Sequence, residues 1–227
     1  MRAAQERRSA AVFATISAAL TRLPLPLSLL GAVARIANDE IGHAALCRRL
    51  ATELGVAVPA DDLGGTERRL ALAGAGATTP LAALLLVEGA VGETLSTALF
   101  AATRRSTSDP RSRAALTLIL RDETRHARTC WAAFKELARA IALDTHALEA
   151  DLSCELGIVE RETILPALRR VEAGDNDPPE LVALGVLPPL ARVEAFYSTL
   201  EGKVLPRVTA LGIDGAAAWS GRYGQRR

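Results

Sequence analysis

Aromatic residues are scarce in this 227-residue chain: two Trp, two Tyr and four Phe make up 4% of it. Ala and Leu abound instead, and small or straight-chain residues favour helix over strand. Charge of one sign is also missing. Lys and Arg number 27 against 26 Asp and Glu, a net charge of +1, which leaves no positive field for nucleic-acid binding. Lysine occurs only as Lys135 and Lys203, a bias that speaks against reading every arginine as a ligand binder. Cysteine is limited to Cys47, Cys130 and Cys154, an odd number without a C-x-x-C pair, which excludes a disulfide framework, a zinc ribbon and a rubredoxin-type iron site. The longest uncharged run, Leu70 to Val87, is interrupted by Gly74, Gly76, Thr78, Thr79 and Pro80 and is not expected to span a membrane. Arg7-Arg8-Ser9 before the apolar run Ala10 to Leu20 has the outline of a short signal peptide. Glu6, the nearby Arg22 and the lack of a small-x-small site argue against it. Reduced cytoplasm is the expected compartment. A hydrophobic fraction of 49% with 23% charged residues is that of a globular protein large enough for a sizeable core.

What is present is helical periodicity nearly throughout. The spacing predicts helices over about 3–22, ended by Pro24 and Pro26, and 27–54, ended by Gly55. Residues 56–79 form a long connection with a short helix expected at Thr66 to Leu72. Thr79-Pro80 and Asp109-Pro110 read as N-cap and first helical residue of helices reaching about Arg105 and Leu143. Further helices are expected over 146–173 and 189–211. The result is two antiparallel helical hairpins joined by a long crossover. Residues 1–143 form a four-helix bundle, and 144–227 a helical elaboration packed on the same domain.

One pattern occurs twice. Asp39 to Cys47 reads DEIGHAALC and Asp122 to Cys130 reads DETRHARTC; both fit D-E-x-x-H-A-x-x-C. Residues three apart share a helix face, so Glu40 points with His43 and Glu123 with His126. Each pair lies in an apolar stripe: Leu29, Val33, Ile36 and Cys47 in the first, Leu116, Ile119, Cys130, Phe134 and Leu137 in the second. A carboxylate buried there is costly unless a cation compensates it. Asp39 and Asp122 suit a supporting role, accepting the other N–H of a ligating histidine. A lone E-x-x-H on a helix is usually a solvated pair; two copies that use two of three histidines are not. His146 lies outside both.

A two-metal bundle needs one more carboxylate from each of the other two helices. The third helix offers Glu88, within the stripe Leu81, Leu84, Leu85, Glu88, Val91 and Leu95. The first offers only Glu6, for which a solvated ion pair with Arg7 and Arg8 is the alternative. Residues 6 and 40 have their midpoint at 23, beside Pro24, and 88 and 123 have theirs between Arg105 and Ser106, so each pair can meet at one level. Glu93 lies about 140° further round an α-helix than Glu88. It is read as a catalytic carboxylate, with a proton relay, a seventh carboxylate or a helix contact left open. Glu160 is an outside candidate. Gly89 and Gly92 beside Glu88 leave either room for dioxygen and substrate or close helix packing. Cys47 and Cys130 read as small core residues just past the site.

On these residues the chain resembles the ferritin-like superfamily of carboxylate-bridged di-iron proteins. The motif residues are Glu40, His43, Glu88, Glu123 and His126, with Glu6 as a sixth ligand, over roughly 3–143. Val87 to Glu93, VEGAVGE, is locally similar to the third-helix segment of demethoxyubiquinone hydroxylases, which favours Glu88. The resemblance implies an all-α, ferritin-like four-helix bundle with extra C-terminal helices and two iron ions cycling between Fe2+ and Fe3+, manganese being left open. It further implies an oxygenase or oxidase that activates dioxygen to oxidise a small organic substrate in specialised metabolism. Tyr197 and Tyr223 both lie near the C-terminus, which disfavours a ribonucleotide reductase subunit, and the lack of C-x-x-C disfavours a rubrerythrin-type peroxidase. No nicotinamide or flavin fingerprint is evident, so electrons are expected from an external donor or the substrate. The alternatives are a ferroxidase or peroxide-consuming iron-handling protein and a metal-free interaction module. A pocket leading to the metals separates an organic substrate from iron handling. A homodimer fits this reading. Arg104, Arg105, Arg111 and Arg113 are read as a solvated turn, with an anion or a reductase as the alternative.

Overall fold

A computed structural model describes residues 2–57 and 78–224, all helical or irregular, with no strand among them. The helix expected at Thr66 to Leu72 and most of the crossover lie outside the described residues.

Helix α1 (Arg2–Leu20) is rich in Ala and free of Gly and Pro. Its inward positions Ala3, Glu6, Ala10, Phe13, Ile16 and Leu20 recur three or four apart, the stripe that a helix buries. After the turn carrying Pro24 and Pro26, α2 (Leu27–Glu53) buries Val33, Ile36, Glu40, His43 and Ala44 and packs along α1 as a hairpin. Gly55 ends it at φ 70°, where L-residues are strained, while Val56 N–H donates to the Ala51 carbonyl at 2.9 Å, closing the last turn.

Helix α3 runs over 78–106. It starts at least a residue before the expected Thr79–Pro80 boundary and contains a π-helical segment, Leu85–Gly92, between α-helical Thr78–Leu84 and Glu93–Ser106. Helix α4 (Pro110–Ala140) follows a three-residue connector. Asp109 caps it as expected, accepting from the Ser112 N–H at 2.8 Å. Helices α1 to α4 make the packed four-helix core, and the extra helices complete a ferritin-like bundle with C-terminal additions. In α3, Pro80–Ser106 is long and apolar enough to cross a membrane, yet 56% of its most apolar window is buried inside the protein.

The remaining chain forms α5 (145–172), α6 (Pro179–Ala183), α7 (189–209), α8 (Gly215–Ser220) and a closing 3-10 turn, Gly221–Tyr223. Both α5 and α7 contain a single π turn, Glu160–Ile164 and Leu200–Val204. The short α6 and α8 are additional to the helices expected from sequence. By packing, residues 1–90 with 121–143 form one compact unit and 91–120 with 144–227 another. Within the first, Leu85, Leu86, Cys130, Ala133, Phe134 and Leu137 are wholly or almost wholly buried, each large side chain contributing about 1.5–3 kcal/mol by leaving water. A Cβ on Gly89 would stand 3.2 Å from the Cys130 sulfur, so that glycine serves close helix packing. Within the second, α7 packs on the 93–106 part of α3, on α5 and on the 160–164 turn. The Ser108 and Asp109 N–H groups both donate to the Ala183 carbonyl, at 3.1 and 3.0 Å.

Candidate metal centre

The two repeated motifs face each other across the bundle core. Glu40 and Glu123 are 1% and 2% exposed, His43 and His126 4% and 0%, and the two imidazole centroids lie 5.8 Å apart. Two groups of ligand atoms form around them, each with all its atoms within 4.8 Å of one another: Glu6, Glu40, His43 and Glu123 in one, Glu40, Glu93, Glu123 and His126 in the other. Glu40 and Glu123 belong to both. Each group is completed by one further glutamate and one histidine, and all six residues are buried.

Glu6, expected either as a ligand or as a solvated pair, is drawn into the first group by the heptad-like stripe of α1. Glu88 belongs to neither group and is half-buried; Glu93 stands in the position expected of it. The π segment is the reason. An i→i+5 helix uses more residues per turn than an α-helix, and one buried row of α3 advances by fours, Leu81, Leu85, Gly89 and Glu93, with Ala82, Leu86, Ala90 and Thr94 beside it; Leu84, Val91 and Leu95 are buried as well. A uniform α-helix would have returned to Glu88. The connector between α3 and α4, residues 107–109, is also centred on the midpoint of 93 and 123 rather than that of 88 and 123.

The histidines are held from behind by the opposite motif. His126 Nε2 lies 3.2 Å from Asp39 Oδ2, and His43 Nε2 lies 3.4 Å from Asp122 Oδ2. With each Nε2–H donating to its aspartate, Nδ1 is the ring nitrogen that faces the carboxylates and would offer its lone pair to an ion bound among them. His126 Nδ1 is 3.0 Å from Glu40 Oε1, and His43 Nδ1 is 3.5, 3.7 and 3.8 Å from Glu123, Glu40 and Glu6. Each aspartate thus lies beside the histidine of the opposite motif, a crossed arrangement. Arg125 joins them, donating to Asp39 Oδ2 at 2.8 Å and reaching Asp122 Oδ1 at 2.9 Å. Sequence reasoning passed over Arg125 because it fills a variable x position in an arginine-rich chain; the first motif has Gly42 there.

The electrostatics ask for cations. Burial alone would lower the His43 imidazole, but the Glu123, Glu40 and Glu6 carboxylates overcome it and push it up to about 12. His126 is raised too: burial opposes, and Glu40 with Glu123 outweighs it. Burial lifts the Glu6 carboxyl, His43 opposing and Glu40 adding to the rise. Around Asp122, burial pushes upward, but Arg121, His43 and Arg125 hold the carboxyl below its ordinary value. Buried Glu40 Oε1 and His43 Nδ1 make no hydrogen bond within the protein, a costly condition that a coordinated ion relieves. Four carboxylates match the charge of two divalent ions. These residues thus fit two divalent metals, Glu40 and Glu123 being available to both.

Other candidates lie elsewhere. Glu160 is 2% exposed but accepts from Tyr197 Oη at 2.7 Å, from Arg222 Nε at 2.6 Å and from Tyr223 Oη. His146 is exposed. Cys130 is buried and Cys47 half-buried, and all three thiols are free. Burial raises the Cys130 thiol, and raises that of Cys47 to about 11, with Glu6 adding to the latter; both thus stay protonated. In the turn of the second hairpin, Arg111 pairs with Asp109 at 3.4 Å, and Arg113 donates to the Arg104 and Thr107 carbonyls at 3.4 and 3.3 Å.

Comparison of the chain with protein-family models, with curated proteins and with solved structures finds no match. The geometry stands on its own: two buried clusters of glutamate and histidine, sharing two carboxylates within a four-helix core, match the ferritin-like di-iron carboxylate site.

Proposed function

We propose that the protein is a di-iron oxidoreductase, an oxygenase or oxidase that uses dioxygen to oxidise a small organic molecule in specialised metabolism. The observation that carries this reading is the sharing of Glu40 and Glu123 between two buried ligand groups. A single-ion site needs no such sharing, whereas a pair of ions acting together on one small molecule requires it. Two ferrous ions held there would supply electrons in concert to dioxygen.

The chain's own residues supply position and exclusion. Glu6 and His43 would complete one ion's protein ligands, Glu93 and His126 the other's. Asp39 and Asp122 hold the imidazole protons on Nε2 and so fix which nitrogen faces the metals. Arg125 fixes the two aspartates relative to each other. Burial of all six ligands keeps bulk water from the centre. Electrons come from a separate reductase or the substrate itself, and the protein works in the cytoplasm.

The test is metal content per chain by elemental mass spectrometry after anaerobic reconstitution with ferrous iron, followed by dioxygen uptake with and without organic compounds. About two irons per chain is expected, with uptake accelerated by an organic substrate. Two irons with dioxygen uptake driven only by added Fe2+, or with peroxide consumed and no uptake, would replace this reading by iron handling. No bound metal would end both.

A further inference from the structure

A groove of about 310 Å³ opens between α2 and α4, lined by Ser28, Arg35, Ile36, Arg125, His126 and Thr129 among others. That volume is at the small end of ligand pockets, about 300–1,000 Å³. His126 borders this groove and belongs to the metal centre, its imidazole fully buried behind the wall with Nδ1 3.0 Å from Glu40 Oε1. The groove thus ends one side chain from the ligand cluster. Where a Cβ on Gly31 would stand there is nothing within 4 Å, so a side wall is left open.

The two guanidinium groups in this groove differ. Arg125 is committed to Asp39 and Asp122, at 2.8 and 2.9 Å, and its charge is spent on them. Arg35, one turn before Asp39 on α2 and exposed, has no ion-pair or hydrogen-bond partner among the described residues. One uncompensated cation, two hydroxyls (Ser28 and Thr129) and the part-exposed apolar wall at Ala32 make a surface for a molecule with one negative charge and an apolar body. A phosphate dianion would meet too little positive charge once Arg125 is discounted. A carboxylate matches a single guanidinium fork bidentately.

We infer that this groove is a substrate subsite for small organic carboxylates, the carboxylate held by Arg35 and the apolar body lying along Ala32 toward the wall that covers His126. The inference deepens the proposed function and rests on it for the oxidation that follows; the binding itself needs only the groove.

The test is calorimetric titration of the full chain, iron-loaded and again after chelation, with butyrate, hexanoate, benzoate and phenylacetate. The amide of each acid and inorganic phosphate serve as controls. At least one carboxylate is expected to bind about tenfold or more tightly than its amide, in line with a hydrogen-bonded charge pair. Arg35→Leu should erase that preference, and Arg35→Lys should keep part of it. Arg35 is exposed, so neither variant threatens the fold. No carboxylate binding, equal affinity for acid and amide, an unchanged preference in Arg35→Leu, or tighter binding of phosphate would each overturn the inference. The two readings fail separately. Arg35-dependent binding to a chain that takes up no iron would keep the subsite and sink the oxidoreductase. Two irons without Arg35-dependent binding would do the reverse.

Discussion

Among the described residues, glutamate is buried in two places, and by opposite means. Glu160 is one carboxylate with three donors, Tyr197, Arg222 and Tyr223, and both its oxygens are bonded. Burial pulls its carboxyl upward, and those three partners more than reverse the effect, holding it low. Arg222 also lies 3.6 Å from the centre of the Trp219 ring, and its carbonyl sits so close to α5 that a Cβ on Gly157 would meet it at 2.2 Å. The closing turn of the chain is thereby clamped. The Glu6, Glu40, Glu93 and Glu123 cluster has four carboxylates and only two imidazoles, and a buried Glu40 oxygen makes no hydrogen bond. Both centres adjoin a π-helical segment: Glu160 opens one and Glu93 follows another. Neither burial nor a π turn therefore marks a metal site. The supply of donors does: where protein donors satisfy the acid, the centre is structural, and where they fall short, a cation has a place.

The contrast can be broken most directly at Glu40. Because both ligand groups use it, Glu40→Ala should take iron content from about two per chain to almost none, read by elemental mass spectrometry. Retention of both ions would show that the shared carboxylates are not the core of the site. A smaller effect separates the two α3 glutamates. Glu93→Gln should lower metal content by about one ion and Glu88→Gln should leave it unchanged; the opposite result would restore the uniform α-helical reading of α3. The smallest effect is expected at Glu160. Glu160→Gln should leave metal content intact while costing about 1–3 kcal/mol of stability, because Arg222 and two tyrosines lose a charged acceptor. Denaturant unfolding checks the second part, and loss of iron in that variant would erase the distinction between the two centres.

Much of the bundle was legible because helix periodicity, proline and glycine act locally. The turn at Pro24 and Pro26, the Asp109 cap and the Gly55 terminus lie where the chain announces them. Glu40, His43, Glu123 and His126 were legible as well, since a spacing of three on a helix is geometry that no distant contact alters. Glu88 and Glu93 were not told apart for the same reason in reverse. The stripe through Glu88 assumes 3.6 residues per turn, and the π segment changes that count just before the ligand. The Glu160 clamp escaped notice because Tyr197, Arg222 and Tyr223 come from 37 to 63 residues away, and nothing in their spacing links them to an acid on α5.

By itself, the amino-acid sequence determined that this is a helical protein with two inward-facing acid–histidine pairs, because patterning and side-chain spacing are properties of neighbouring residues. Tertiary structure alone decided that Asp39 lies beside His126 and Asp122 beside His43, that Arg125 ties the two together, and that Glu93 rather than Glu88 joins a buried ligand group. Those choices depend on which faces meet across the bundle and on where one helix widens, and both are settled by packing between segments far apart in the chain.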